Sequence, residues 1–289
     1  MAVHSLHSLS DGRFRLDGGA MFGVVPRVLW EKSDPADAEN RILLGLNCLL
    51  VRGAGFTLLI DTGLGDKEDA RFLAHFPLER QGDLFSELAA CGVAPEDVTH
   101  VVNTHLHFDH CGGNTRLDAA GRAEPSFPRA RYFVQRGEWE DAIRPHALSR
   151  ASYLARNFLP VAEAGLLERV EGEAEILPGV QLLPTPGHTP HHQSVLIDLP
   201  GGRRLFYPGD LIPTSSHLPL AWIMAYDLAP RVTLETKARL LARQRAEDWF
   251  VCFEHEREAP VGRLVWTENA KGERAAFQPL PLDALLAGA

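Results

Sequence analysis

The sequence predicts a mixed α/β (mixed α+β) chain, and three observations carry that expectation. Apolar segments of strand length alternate with segments of helical period along the chain. Several of the apolar runs stop at a polar residue followed by a turn, as at Asp61, Thr104 and Asp210. The order strand, strand, Asp, helix, strand, His occurs twice, through Asp61 and His105 and again through Asp210 and His255. The two Asp-to-His separations are nearly equal, 44 and 45 residues.

The elements follow in order. Residues 42–51 (ILLGLNCLLV) and 56–60 (FTLLI) read as strands joined by a tight Gly-containing connection at 52–55. A helix is expected at about 83–91, with Leu84, Phe85, Leu88 and Ala89 on one face. Residues 99–104 (THVVNT) form a short buried strand. Residues 131–135 (RYFVQ) are a strand and 136–144 a helix. Strands follow at 180–185, 193–199 and 203–207. The spacing of Leu234, Ala238, Leu241 and Arg245 predicts a helix over 232–246, and WFVCFE at 249–254 is the next strand. Residues 262–267 and 274–277 are expected as edge strands. No linker rich in Gly or Ser divides the chain, so residues 1–289 are expected to form a single domain of two similar halves.

The bulk numbers suit an ordinary globular protein: 45% hydrophobic and 23% charged residues over 289 positions. A net charge of -9, with no cluster of Lys and Arg, argues against a nucleic-acid partner. No run approaches the roughly 18 apolar residues of a membrane span. The N-terminus (MAVHSLHSLSDGRFRL) lacks a basic start and an apolar stretch, so a cytoplasmic location is expected. The four cysteines, Cys48, Cys91, Cys111 and Cys252, show no CxxC spacing. Cys48 and Cys252 lie in apolar runs and read as buried, reduced thiols. Cys111 adjoins a cluster that already has enough metal donors.

That cluster is Thr104-His105-Leu106-His107-Phe108-Asp109-His110. Three imidazoles and a carboxylate follow directly on an apolar strand. Borderline metals such as zinc take both donor types. In an extended or tightly turning loop His105 and His107 point the same way. Asp109 and His110 then turn toward a second position, about 3.5–4 Å from the first in the usual two-metal site. A solvated polar loop is the bland alternative for a lone HxH, but HxHxDH at a strand end favours metal. His188, Asp210 and His255 each sit at a strand end before a turn, where rigid scaffolds mount catalytic groups.

The combination of THLHFDH (104–110), the GHT turn at 187–189, the GD at 209–210 and His255 resembles the metallo-β-lactamase-fold hydrolases. The resemblance spans about residues 42–255. It is strongest to the branch of N-acyl-homoserine lactonases and methyl-parathion-type hydrolases. It implies a four-layer αβ/βα sandwich with two divalent metal ions at one edge of the sheets, zinc by preference, with iron, manganese or cobalt as alternatives. It implies His105, His107 and His188 on the first ion, Asp109, His110 and His255 on the second, and Asp210 bridging both. Asp61 is implied to orient a ligand imidazole, as such outer carboxylates do.

Two departures stand out. The family's lactonases carry a Tyr a few residues after the bridging Asp, whereas residues 211–217 here read LIPTSSH. The usual GHTPGH turn is GHTPHH, with His191 in place of a glycine, and His191 and His192 read as orienting or structural residues.

Two metals sharing a water make hydroxide available at neutral pH. This predicts cleavage of a lactone or ester, with Asp109 and Asp210 as the catalytic carboxylates and Asp109 relaying a proton. Phe22, Trp30, His217 and Trp222 are candidates to line an apolar pocket for a small-molecule substrate. The segments that hold them, 21–30 and 212–226, serve equally well as packing or as a homodimer contact. A phosphotriesterase or arylesterase is the alternative within hydrolases, and the missing Tyr favours it. From other classes come a mononuclear iron dioxygenase of the same fold and a non-catalytic metal-binding sensor. The full ligand set argues for two metals and against both.

Overall fold

The computed structural model describes residues 3–269 and 272–286. In chain order the first half holds β1 (Val3–Asp17), α1 (Gly18–Phe22), α2 (Arg27–Trp30), β2 (Arg41–Gly53), β3 (Phe56–Ile60), α3 (Ala70–His75), β4 (Leu78–Glu79), α4 (Leu84–Ala90), β5 (His100–Val102), α5 (Phe108–Cys111), β6 (Thr115–Leu117), β7 (Ala123–Pro125), β8 (Arg131–Gln135), α6 (Arg136–Ile143), α7 (Leu159–Glu163) and β9 (Leu167–Val170). The second holds β10 (Ala174–Leu177), β11 (Val180–Pro184), β12 (Gln193–Leu199), β13 (Arg203–Tyr207), α8 (Pro230–Glu247), β14 (Phe250–Cys252), β15 (Val261–Asn269), β16 (Gly272–Pro279) and α9 (Leu282–Leu286).

These strands form two seven-stranded sheets, ordered β4-β1-β2-β3-β5-β8-β9 and β10-β11-β12-β13-β14-β15-β16, with β6 and β7 as a separate hairpin. Alternation explains how they stack. Leu49, Val51, Leu58, Ile60 and Val102 of the first sheet meet Leu182, Val195, Ile197, Leu205, Tyr207 and Cys252 of the second in one dry layer. Their neighbours point the other way. Cys48, Leu50, Leu59 and Val101 pack under Leu84 and Leu88 of α4. Leu183, Leu196, Phe206 and Val251 pack under Leu240 and Leu241 of α8. Both faces of each central strand are thus covered, which is why those strands read as unbroken apolar runs. The layers are helix, sheet, sheet, helix, the mixed α/β sandwich the sequence predicts. Truncating a side chain such as Leu58 to Ala costs about 2–5 kcal/mol.

Each sheet contains the same run of pairings. β2 and β3 are antiparallel, and β5 returns parallel to β3 after α4. β12 and β13 are antiparallel, and β14 returns parallel to β13 after α8. Both crossovers have defined ends. Asp83 and Ser86 cap the start of α4 reciprocally. Pro230 opens α8, and Asp248 closes it in the left-handed conformation.

Several expectations shift. β1 is a fifteen-residue strand that periodicity does not signal. Its register against β2 slips between Val3 and Ser5 and between Ser10 and Arg13, so the alternation is broken by bulges. β15 pairs with β14 on one side and β16 on the other, so of these two strands only β16 lies at an edge. The buried face of α8 is Thr233, Thr236, Lys237, Leu240, Leu241 and Gln244, while Leu234 stands 37% exposed. A polar stripe is buried there because loop carbonyls satisfy it. Thr236 donates to Pro186 at 2.9 Å, Lys237 to Pro219 and Trp222 at 2.9 and 2.8 Å, and Gln244 to Trp249 at 2.7 Å. Ala89 of α4 is exposed, and only Leu84 and Leu88 of that helix are fully buried. Among the described residues no helix is long and apolar enough to cross a membrane.

Candidate metal centre

The C-terminal ends of β3, β5, β11, β13 and β14 converge on one edge of the sandwich and deliver Asp61, the 104–110 loop, His188, Asp210 and the pair Glu254–His255. Two glycines make the convergence feasible. Gly209 has φ +54°, and a Cβ there would stand 2.8 Å from the His192 ring and 2.9 Å from Thr104. Gly187 has φ +144° and abuts Thr233 on α8, with only 2.4 Å to spare for a Cβ. Across the sheets, the Asn47 backbone and side chain donate to the Glu254 carbonyl at 3.0 and 2.7 Å, and Gly45 donates to the His255 carbonyl at 3.0 Å.

Two donor clusters result. His105, His107 and His188 form one, and His110, Asp210, Glu254 and His255 the other. Asp210 stands between them with one oxygen for each. Oδ2 lies 3.1 Å from His188 Nε2 and 4.0 Å from His105 Nε2. Oδ1 lies 3.2 Å from His255 Nε2 and 3.5 Å from His110 Nε2. Asp109 borders the second cluster, its Oδ2 3.7 Å from His255 Nε2 and 3.9 Å from His110 Nε2. The seven residues read from the sequence therefore all meet here.

The donors fit divalent cations on structural grounds. His105 Nε2, His107 Nε2, His110 Nε2, Asp210 Oδ1 and both oxygens of Glu254 are buried without a hydrogen-bond partner. Such orphans are costly in a folded protein unless something absent from the chain completes them.

Electrostatics separate His105 and His107 from the other three rings. Burial, then the neighbouring imidazoles, pushes His105 and His107 well below the usual histidine range. Burial pulls His110 down too, but Glu254, Asp210 and Asp109 outweigh it and hold the ring well above. His255 follows the same pattern, burial opposed by Glu254 and Asp210, and ends at about 10. At His188 burial is overcome by Asp210 and Asp227. Asp210 itself is held well below the carboxylate range, because His110, His188 and His255 outweigh its burial.

Supporting residues set ring orientations. Asp61, at φ +53°, accepts from the Thr104 amide and hydroxyl at 2.8 Å each and faces His110 Nδ1 at 3.1 Å. His192 accepts from the Asp210 amide at 3.1 Å, and burial, then His188, lowers it to about 3, so it stays neutral. His191 lies half-exposed near Asp141. Cys111 is buried, donates to the Leu106 carbonyl at 3.3 Å and joins neither cluster.

Sequence reasoning missed three acids. Asp227 faces His188 Nδ1 at 2.9 Å. Glu138 accepts from the Leu106 amide, Tyr153 and Thr189 at 3.0, 2.8 and 2.6 Å, tying the 104–110 loop to the 187–189 turn. Glu254 is fully buried beside His110, and burial, opposed by His110 and His255, raises its carboxyl to about 7. Only Glu254 had a signal: a carboxylate closing an apolar strand next to a candidate ligand.

A cavity of about 380 Å³ opens over His107, Asp109, His188, Asp210 and His255, walled by Leu16, Met21, Phe76, Phe108, Met224 and Tyr226. The expected pocket aromatics are not among its walls. Phe22, Trp30 and His217 are at most 1% exposed. Phe22 stacks on His217 at 4.6 Å and on Trp30 at 5.2 Å, and meets Trp222 edge-on at 5.6 Å. These rings satisfy one another beneath the cavity. His217 donates from Nε2 to the carbonyl of Met21, which is itself a wall residue. Tyr226 supplies the cavity's phenol, raised to about 12 by burial, then Asp17 and Asp109.

The similarity to known proteins agrees with this geometry. A Bacillus cereus N-acyl homoserine lactonase is 29% identical over 208 residues, covering 68% of this chain and 72% of the relative. A Staphylococcus aureus structure described as a probable metal-dependent hydrolase superposes with a TM-score of 0.85 at 29% identity, covering 97% of this chain and 100% of its own. An N-acyl homoserine lactone hydrolase with N-hexanoyl-L-homoserine at its catalytic metal center superposes at 0.70 with 26% identity, covering 89% and 94%. The model of the metallo-beta-lactamase superfamily matches residues 42–255, and the chain belongs to that superfamily.

Proposed function

We propose that this protein is a two-cation hydrolase that opens a lactone or cleaves a carboxylic ester bearing an apolar acyl group. The observation that carries the reading is Asp210, whose two oxygens face two separate donor clusters, each holding buried atoms without a hydrogen-bond partner. His105, His107 and His188 would hold one cation, His110, His255 and Asp109 the other, and Asp210 both. The relatives named as lactonases support the substrate class.

Two divalent cations held there would polarise the scissile carbonyl and supply hydroxide at neutral pH. The chain's own residues do the rest. Asp109 lines the cavity and lies beside His110 and His255, placed to take the proton of the attacking water and hand it to the leaving oxygen. Asp61, Asp227 and the His255 contact to the Gly45 carbonyl at 2.8 Å fix the rings. Leu16, Met21, Phe108 and Met224 exclude water from one wall and suit an acyl chain better than a sugar or nucleotide. We read residues 1–289 as one domain, its two sheets being two versions of one unit that share the site along an edge.

Metal analysis coupled to a panel of lactones, aryl esters, phosphotriesters and β-lactams tests the reading. The expected result is two cations per chain, with acyl lactones turned over fastest and activity lost on chelation and restored by metal. Full activity in metal-free protein would contradict it. The second reading, a phosphotriesterase or arylesterase, rests on the absence of Tyr from residues 211–217 and would be chosen if those substrates led the panel.

A further inference from the structure

Glu254 is the buried acid that the mechanism above does not use. It lies two residues past the end of β14, immediately before His255, and has no exposed surface. Neither of its oxygens makes a hydrogen bond. Oε2 lies 2.7 Å from His110 Nδ1 and 3.5 Å from His255 Nε2. It shares the His110 Nδ1 side of the ring with Asp61, whose Oδ2 lies 3.1 Å from the same nitrogen. A buried carboxylate with one oxygen unpartnered and only two imidazoles beside the other is expensive to keep unless further positive charge completes it. Glu254 groups within ligand reach of His110, Asp210 and His255.

We propose that Glu254 is itself a ligand of the second cation, which makes that position carboxylate-rich and suited to a harder metal than the position of three imidazoles. Three carboxylates, from Asp109, Asp210 and Glu254, then surround one cation with two imidazoles. The other cation has three imidazoles and a share of Asp210. Carboxylate oxygen favours manganese-like ions relative to zinc, whereas imidazole favours zinc. The inference rests on the two-cation reading and adds to it an unequal pair.

The test uses full-length protein stripped with a chelator, given one equivalent of zinc, then titrated with Mn(II) while free Mn(II) is followed by electron paramagnetic resonance. Wild type is expected to bind one Mn(II). Glu254→Gln should bind it roughly tenfold or more weakly while keeping its zinc. The cobalt-substituted proteins should also differ in their visible spectra, since the ligand count changes. Unchanged Mn(II) affinity in Glu254→Gln, or weaker binding with an unchanged cobalt spectrum as an acid that only orients His110 would give, would overturn the inference and leave the two-cation reading standing. Wild type that takes only one cation of any kind would overturn that reading instead. If Glu254→Gln does not fold, wild type decides: a second position that takes zinc but no Mn(II) overturns the inference.

Discussion

His105, His107 and His188 meet one another mostly as imidazoles, whereas His110 and His255 meet among carboxylates. Burial and neighbouring imidazoles lower His105 and His107, whereas acids raise His110 and His255 against burial, as Asp210 and Asp227 do for His188. The same residue type is thus set to opposite proton affinities a few ångströms apart. Burial is common to both, so the difference comes from the acids each set faces. One half of the chain supplies a dense loop of ligands. The other supplies isolated residues at strand ends, and one of these, Asp210, joins the two sets.

The largest effects should come from removing a ligand on either side. On the proposed reading, His188→Ala empties the imidazole position and His255→Ala the carboxylate-rich one, each leaving about one cation by elemental analysis and no measurable turnover. Loss of both cations from either single variant would erase the distinction between the positions.

Next come the aromatics beneath the cavity. Phe22→Ala removes a fully buried ring stacked on His217 and Trp30 and should destabilise by about 3–5 kcal/mol in urea unfolding. Its substrate ranking should match wild type, because the ring is not a cavity wall. A changed ranking with unchanged stability would restore these residues to the pocket.

The orienting acids should act more gently and one-sidedly. Asp227→Asn should weaken the imidazole position, and Asp61→Asn the other, each by about 10–100-fold in metal affinity. Equal weakening of both positions by either change would show that the two are not supported separately.

The smallest effect concerns Lys237, which clamps the 219–222 loop from α8 and which burial lowers to about 7, partly offset by Asp227. Between pH 7 and the ordinary lysine range the unfolded chain binds a proton that the folded chain does not. Stability therefore rises with pH in that window, by at most about 1.4 kcal/mol per unit, and the contribution is flat below it. Subtracting Lys237→Met unfolding curves from wild type between pH 7 and 9 should reveal that slope, and parallel curves would refute the assignment.

Much of this molecule was legible because its signals were local. The strands at 56–60, 131–135, 193–199 and 203–207 have the predicted bounds, since each is an uninterrupted run between turn residues. The donors of the 104–110 loop, together with His188, Asp210 and His255, stand at strand ends that the same runs define. What stayed hidden depends on the third dimension. β1 is obscured by two bulges, and the buried face of α8 by polar residues whose partners lie in distant loops. Asp227, Glu138 and Glu254 are single acids with no periodicity, and only packing shows which imidazole or amide each one faces. Phe22 and Trp30 were misassigned because apolar aromatics fill cores and pockets alike.

The central claim is that Asp210 joins two cation positions, and the metal content of Asp210→Ala beside wild type tests it most directly. The account predicts two cations per wild-type chain and marked loss from both positions in the variant, with the fold retained by circular dichroism. A variant that still holds two cations as tightly as wild type would contradict it.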